Sequence, residues 1–339
     1  MKLHHILIAF VASLMMTGPL SAQIEKKAQA GFRFLDNPVS AEVIGRGATG
    51  VIGTFDASAL FWNPSEIGLI KPTVDVVLHR TQGIADINYN AAAATFRLWD
   101  FGVAGVSLMF MDYGTFYGTR RDPNPDGYVE TGTFSPNAYT LGFAFSQQVT
   151  DRFSYGVQVK YVSQDLGSAY VAANGLDIST AILSMSQQPY KKGAWAGDVG
   201  AYYDFQYMGI TFGACIQNLS ADVKYENEAF PLPFTVNFGA TIQPMLLFME
   251  GDDARDLVLS FETRHPRDFD EKVQFGAEYT VMGVFVPRLG YMLNYDERGF
   301  TAGVGFRYDW GGTPLRADYA YEAYGIFGAV HHFTIGIAY

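Results

Sequence analysis

Residues Gly45-Arg46-Gly47-Ala48-Thr49-Gly50 fit the pattern G-x-G-x-x-G, whose glycines let a backbone approach a pyrophosphate at a helix start. A dinucleotide site needs a βαβ unit around that turn. None follows, and Glu66, at a suitable distance for a ribose contact, stands behind Asn63-Pro64 instead of ending a strand. The better reading is that small residues let this segment pack closely against other backbone. Asp122-Pro123-Asn124-Pro125-Asp126-Gly127 opens like a calcium loop. Thr133 occupies the twelfth position, where a bidentate Glu belongs, Glu130 is the nearest substitute, and the two prolines preclude flanking helices. A solvated acidic turn is expected there, with no metal. A hydrolase would need Ser, His and an orienting polar group on one wall. Beyond the first residues only His79, His265, His331 and His332 remain. His331 and His332 are adjacent, so on a strand they face opposite ways, which defeats both a metal pair and a shared catalytic role. No catalytic residue is assigned, the protein is not expected to be an enzyme, and no cofactor is expected.

What the rest of the chain builds is legible in its composition and period. It has 339 residues, with 34 acids against 23 bases, a net charge of −11, and only 17% charged residues beside 15% aromatics. Ample apolar surface excludes disorder. An acidic chain without a Lys/Arg cluster would repel a phosphate backbone, so no nucleic-acid partner is expected. Past the first two dozen positions no apolar run reaches the roughly 20 residues that a membrane helix needs. From about residue 72 the dominant period is two. Tyr139, Leu141, Phe143 and Phe145 alternate with Thr140, Gly142, Ala144 and Ser146, and Phe333, Ile335, Ile337 and Tyr339 close the chain in the same way.

Such runs predict strands near 72–80, 86–97, 101–113, 134–148, 152–165, 194–206, 209–219, 233–243, 255–264, 271–281, 284–295, 299–309, 313–322 and 329–339. Segments of about ten residues suit tilted strands crossing a bilayer, and an even number closes an up-and-down barrel. Short connections at 98–100, 149–151, 206–208, 282–283 and 310–312 alternate with long ones at 114–133, 166–193 and 221–232, as periplasmic turns alternate with outer loops. The stretch 243–254 is the exception, and its Met245-Leu246-Leu247-Phe248 is read as prolonging a strand. With the aromatic stripe toward lipid, Lys160, Asp198, Asp204, Glu262, Arg264, Glu278, Arg288, Arg307, Arg316, Asp318 and Glu322 all point inward. Trp99, Tyr207 and Trp310 fall at short turns, where headgroups favour amphipathic rings. The histidines are read as interfacial, near the barrel rim. A soluble sandwich would also alternate, but not with aromatic residues on one face of so many strands.

Ahead of the barrel, Lys2, the apolar run Ile6 to Met16 and Leu20-Ser21-Ala22 read as an export signal over residues 1–22, with the mature chain starting at Gln23. No cysteine follows that run, and the single Cys215 reads as a core filler. The expected fold is therefore all-β: a 14-stranded antiparallel transmembrane β-barrel of the bacterial outer membrane over 72–339, preceded by a segment over 23–71.

That preceding segment carries the most specific resemblance. Gly31-Phe32-Arg33-Phe34-Leu35-Asp36-Asn37-Pro38-Val39-Ser40-Ala41, then Gly45 to Gly50, then Asp56-Ala57-Ser58-Ala59-Leu60-Phe61-Trp62-Asn63-Pro64 resemble the PorV/PorQ family of outer-membrane proteins. Gln217-Asn218-Leu219 with Leu232-Pro233 is similar to the family's middle, and Asp318-Tyr319-Ala320-Tyr321 with Gly325 and Gly328 to its end. One departure stands out: the family usually has Asn-Pro-Ala, and here Ser65 follows Asn63-Pro64. The resemblance implies a FadL-like barrel with an N-terminal lumen plug, and members include components of the type IX secretion system, which pass exported proteins to the cell surface.

The residues themselves agree with a plug, since 31–70 precede the first strand, mix helix formers with Gly and Pro, and are too many for a linker. Gly45, Gly47, Gly50, Phe61, Trp62, Asn63 and Pro64 are expected to seat it, with Asn63 bridging backbone groups and Pro64 fixing the bend. Two function classes stay open. One is passage of hydrophobic small molecules, which would show as an apolar pocket between plug and wall. The other is binding of exported proteins by outer loops. The stretch 166–193 bears Tyr170, Val171, Leu176, Ile178, Ile182, Leu183 and Met185, an apolar density unusual for a solvated loop. Expected partners are thus outer-membrane lipid and either a hydrophobic small molecule or an exported protein.

Overall fold

In a computed structural model, which describes residues 29–171 and 185–339, fourteen strands close into one antiparallel barrel. They are β1 (Val74–Gln82), β2 (Asn88–Arg97), β3 (Val103–Asp112), β4 (Asn137–Thr150), β5 (Phe153–Val171), β6 (Ser186–Asp204) and β7 (Thr211–Ser220). The second half is β8 (Thr235–Ile242), β9 (Leu257–Pro266), β10 (Lys272–Tyr279), β11 (Phe285–Leu293), β12 (Phe300–Trp310), β13 (Thr313–Ala323) and β14 (Ala329–Ala338). Each pairs with its sequence neighbours, and β14 pairs with β1 from Asp75↔Ala338 to Gln82↔His331, which removes the last open edge. The expected export signal and the loop residues Leu176, Ile178, Ile182 and Leu183 lie outside the described residues.

The two-residue period sorts the side chains into two environments. Phe143, Leu289 and Ile335 are more than half exposed on the outside, whereas their neighbours Arg288 and Thr334 are buried inside. All eleven inward charges expected from the alternation lie on the lumen side; Lys160, Asp198, Glu262, Arg288, Asp318 and Glu322 are buried there. A charge on the lipid face costs about 2–4 kcal/mol at the bilayer midplane, so this distribution holds the register of the whole wall. Trp99 and Trp310 stand exposed at the short turns, as does Tyr207. An apolar outer belt around a polar interior makes this a protein of the bacterial outer membrane, crossed by strands.

Two connections differ from the expectation. Residues 166–171 and 186–193 are strand, because β5 and β6 each run for 19 residues and pair as far as Val171↔Ser186. Beyond Trp195 both faces carry polar residues such as Gln164, Asp165, Gln187 and Lys191, so the ladder continues while the apolar period that would reveal it stops. The stretch 243–254 does not prolong a strand. Pro244 lacks an N–H for the ladder and opens a 3-10 turn (Pro244–Leu247), followed by a second over Asp252–Arg255. The long connection after β3 carries its own hairpin, Phe116–Arg121 with Tyr128–Phe134.

Candidate functional site

The N-terminal segment lies against the inward faces of the strands, and its own turns are fixed by capping. The Asp56 carboxylate accepts from the Ser58 N–H at 2.7 Å and starts the 3-10 turn Ala57–Phe61; Asn63 accepts from the Ser65 N–H at 3.1 Å and starts Pro64–Leu69, with Pro64 in the first helical position. The Asn63 amide also donates to the carbonyls of Val51 (2.8 Å) and, on β6, Ala201 (3.2 Å). The Ser65 hydroxyl donates to Asn63 Oδ1, and the Ser65 carbonyl accepts from Ser146 and Ser154 on β4 and β5. Trp62 donates through its indole N–H to the Val39 carbonyl (3.1 Å), and Gln217 on β7 donates to the carbonyls of Phe61 and Trp62.

The glycine motif serves contact between backbones. A short helix, α1 (Ala41–Gly45), delivers Gly45 onto Gly303 of β12, where a side chain on either would come within about 3.0 Å of the other's Cα. Gly47 has φ +76° and lies against the backbone of Phe275 and Tyr291, while wall residues Gly276 and Gly290 face Arg46 and Gly47 so closely that a methyl group would collide. Gly50 leaves room for the Trp62 ring. The seven residues expected to seat the segment are therefore all in it and in contact with the wall or with one another.

The two sides of the segment differ in chemistry. Toward β9–β13 it is ionic. Glu42 pairs with Arg307 (2.9 Å) and Arg288 (3.7 Å), Arg288 with Asp318 (2.7 Å) and Glu278, and Arg316 with Asp75 (2.8 Å) and Asp56 (3.3 Å). Glu262 accepts from the Val51 N–H (2.9 Å). Toward β1–β6 the segment is apolar. Phe32, Phe34 and Val39 pack on Met109, Met111, Val162 and Ala196, and Leu60, Ile67 and Ile70 pack on Val77, Ala93 and Val103. Phe61 touches both clusters and a third around Ile44 and Trp62, so one side chain joins the apolar contacts from the outer to the inner end.

Between these surfaces the described residues leave a narrow space. A cavity of about 50 Å³ lies between the segment and the wall at Val39, Phe61, Met109, Lys160 and Gln217. That holds a few waters and no aromatic ring. Larger spaces stand at each end: about 340 Å³ at the outer mouth, where Lys272 lies over the faces of Phe269 and Tyr295 beside Arg298, and about 400 Å³ at the inner mouth among Arg46, Phe55, Tyr202 and Arg255.

Burial tunes the segment's own acids. Burial pushes Glu66 up to about 8, against the Thr54 and Gly53 N–H groups that it accepts from at 3.0 and 2.6 Å. It pushes Asp56 up to about 6, helped by Glu42 and opposed by Arg316. Burial also raises Glu42, but Arg288 and Arg307 outweigh it and hold that carboxyl near 2. Raised acids favour the docked segment while protonated, so their contribution is complete below about pH 4 and is lost as pH rises through about 6 and then about 8. Limited proteolysis of the membrane-embedded protein is expected to cut residues 31–70 faster at about pH 8.5 than at about pH 5. A flat profile would show that neither acid titrates in the docked state.

The histidines correct the rim assignment. His79 is buried in the lumen, with Nδ1 2.8 Å from the Thr334 hydroxyl, and His332 is buried between Thr81 (3.0 Å) and Glu322 (3.1 Å). His331 does face the other way, onto Tyr319. Alternation already encodes this, because Phe333 and Ile335 face lipid and so His332 must face inward. Among the described residues no cluster of His, Cys, Asp or Glu forms a metal site; Asp122 instead accepts from the Asn124 N–H, and Cys215 is buried. Of the predicted partner-binding residues, Tyr170 and Val171 end β5, and Met185 with Tyr170 lines a 690 Å³ hollow beneath the Phe116–Arg121 hairpin.

No protein-family profile and no curated protein sequence matches the chain. Solved structures do. The Ralstonia pickettii toluene transporter TbuX superposes with a TM-score of 0.56 at 14% identity, covering 90% of this chain and 98% of that one. The Pseudomonas putida toluene transporter TodX gives 0.55 at 13%, covering 89% and 96%, and a Pseudomonas aeruginosa FadL homologue gives 0.55 at 12%, covering 89% and 98%. At such identities the likeness establishes a shared FadL-like barrel fold.

Proposed function

We propose that the protein passes hydrophobic small molecules across the outer membrane, along the apolar side of an N-terminal plug formed by residues 31–70. The observation that carries this reading is the division of the plug's surface: ion pairs seat it on β9–β13, while an apolar seam runs along β1–β6 from Phe32 through Phe61 to Ile70. Breaking a buried ion pair is costly, whereas parting apolar side chains to admit an apolar solute replaces one greasy contact with another. A local shift of residues 58–70 away from β1–β5, which exchanges the bonds of the Ser65 carbonyl to Ser146 and Ser154 for water, opens a route, and the ion pairs of Glu42 and Asp56 stay seated. Monoaromatic hydrocarbons of the toluene class and fatty acids are the solutes to try, since neighbours of this fold are described as toluene transporters. Cells expressing the protein are expected to take up labelled toluene or a labelled long-chain fatty acid faster than cells with an empty vector; equal rates for both solutes would overturn the reading.

A second reading rests on the PorV/PorQ resemblance and on the hairpin of β5 and β6. This hairpin rises beyond Trp195 and, with the Phe116–Arg121 hairpin, borders the 690 Å³ hollow at Tyr170 and Met185. An exported protein of the type IX route is the partner this reading tests there. Deleting Tyr170 to Met185 removes no membrane-crossing part of a strand, so the barrel should still assemble while retention of surface proteins fails. Under the passage reading, surface proteins stay normal.

A further inference from the structure

The lipid-facing side of the barrel holds one feature that passage through the lumen does not use. Pairing across β14, β1, β2, β3 and β4 sets out a row of outward side chains that reads Phe333, Arg80, Asn90, Phe110, Tyr139. A guanidinium and an amide thus interrupt an otherwise aromatic row. The row one step toward the short turns reads Ile335, Leu78, Ala92, Leu108, Leu141, and there the small Ala92 leaves a furrow between two leucines. The furrow encloses about 420 Å³, with Leu78, Ala92, Leu108 and Phe110 along it and Arg80 and Asn90 at its upper end.

Arg80 is exposed, and its one hydrogen-bond partner is the Asn90 side-chain oxygen at 3.5 Å. Among the described residues it is the one cation on the lipid face of the barrel strands without a carboxylate partner, because Lys191 has Asp165 at 3.4 Å and the others face the lumen. A lone guanidinium among belt aromatics is unfavourable unless an anion meets it. Its level along β1 settles which anion: Val74 pairs beside the terminal Tyr339 at the short turns, so Arg80 lies in the half nearer the long loops, the outer leaflet.

We propose that this furrow binds one phosphate-bearing lipid of the outer leaflet, its phosphate on the Arg80 guanidinium and one acyl chain lying over Ala92. Arg forms a two-pronged contact with phosphate oxygens, the Asn90 amide nitrogen supplies a further donor, and an unbranched chain fills a groove lined by leucines. This assignment rests on the membrane placement of the barrel and is independent of what the lumen passes.

Purified full-length protein in a neutral detergent, incubated with bisphosphorylated lipid A and examined by native mass spectrometry, provides the test. Arg80→Gln is expected to lower retention of lipid A by about tenfold or more, Arg80→Lys to lower it less, and Ala92→Phe to lower it while keeping Arg80. Far-ultraviolet circular dichroism checks that each barrel is intact. Unchanged retention in both Arg80→Gln and Ala92→Phe, or equal retention by the native protein of lipid A stripped of its phosphates, would overturn the proposal.

Discussion

Replacing residues 31–70 by a short Gly/Ser linker is expected to turn a non-conducting barrel into an ion-conducting pore. Barrels of about 8 strands are filled by their own side chains, whereas those of about 16–18 leave an aqueous channel, and fourteen lies close to the second class. The lumen wall that would be uncovered carries Gln158, Lys160, Glu262, Gln274 and Arg288, all wettable. Planar-bilayer recording should show steady current for the deletion and none for the native protein. Circular dichroism and resistance of the folded band to unfolding in gel electrophoresis establish that the barrel has assembled. Trp62→Ala with Asn63→Ala gives a milder version: it removes the indole bond to Val39 and the amide bridge to Val51 and Ala201, and brief openings are expected. An assembled deletion barrel that carries no current would show that another element closes the lumen.

Arg288→Met carries the largest expected loss of stability. The Arg288 side chain is 1% exposed and lies between Asp318, Glu278 and Glu42, the last belonging to the N-terminal segment. Removing the shared cation leaves Glu278 without its arginine and Glu42 and Asp318 with Arg307 alone, and breaking a buried pair from one side costs about 3–5 kcal/mol. The expected result is a clearly lowered unfolding midpoint together with faster proteolysis of residues 31–70. Adding Asp318→Asn to Arg288→Met should recover part of the loss, since neighbours in one network couple by about 0.5–3 kcal/mol. A loss below about 1 kcal/mol for the single variant would mean that water, and not this arginine, solvates those acids.

The barrel is legible in the sequence because lipid writes on it. Wherever a strand crosses the bilayer, one face must be apolar, and each of the fourteen expected segments matches one strand. Above the membrane that pressure ends, which is why the upper halves of β5 and β6 read as loop although their backbones remain paired to Val171. In the N-terminal segment some local signals are readable: Asn63 bridges backbone groups, Pro64 opens a turn, and paired glycines announce close packing, whereas the capping by Asp56 shows only in the structure. The partners are not. Glu42 meets Arg307, and Arg33 meets Asp268, across more than two hundred residues of chain, a separation that no local pattern records. Phe61 shows the same limit, because its place at the meeting of three apolar clusters follows from the curvature of the wall and not from its neighbours in sequence.

The proposed passage route requires the apolar side of the N-terminal segment, and not its ionic side, to part from the wall, and two engineered locks address that directly. A side chain on Gly68 would stand 2.8 Å from the Ser154 hydroxyl oxygen, so Gly68→Cys with Ser154→Cys can tie the apolar side to β5; Thr49 and Ser260 hydroxyls lie 2.8 Å apart, so Thr49→Cys with Ser260→Cys can tie the ionic side to β9. Each pair is made in a Cys215→Ala background, and uptake of the same labelled solutes is measured with and without reductant. The apolar-side lock is expected to cut uptake by about tenfold or more when oxidised and to release it on reduction, while the ionic-side lock leaves uptake within about twofold of the unlocked protein. Full uptake through an oxidised apolar-side lock would contradict the account.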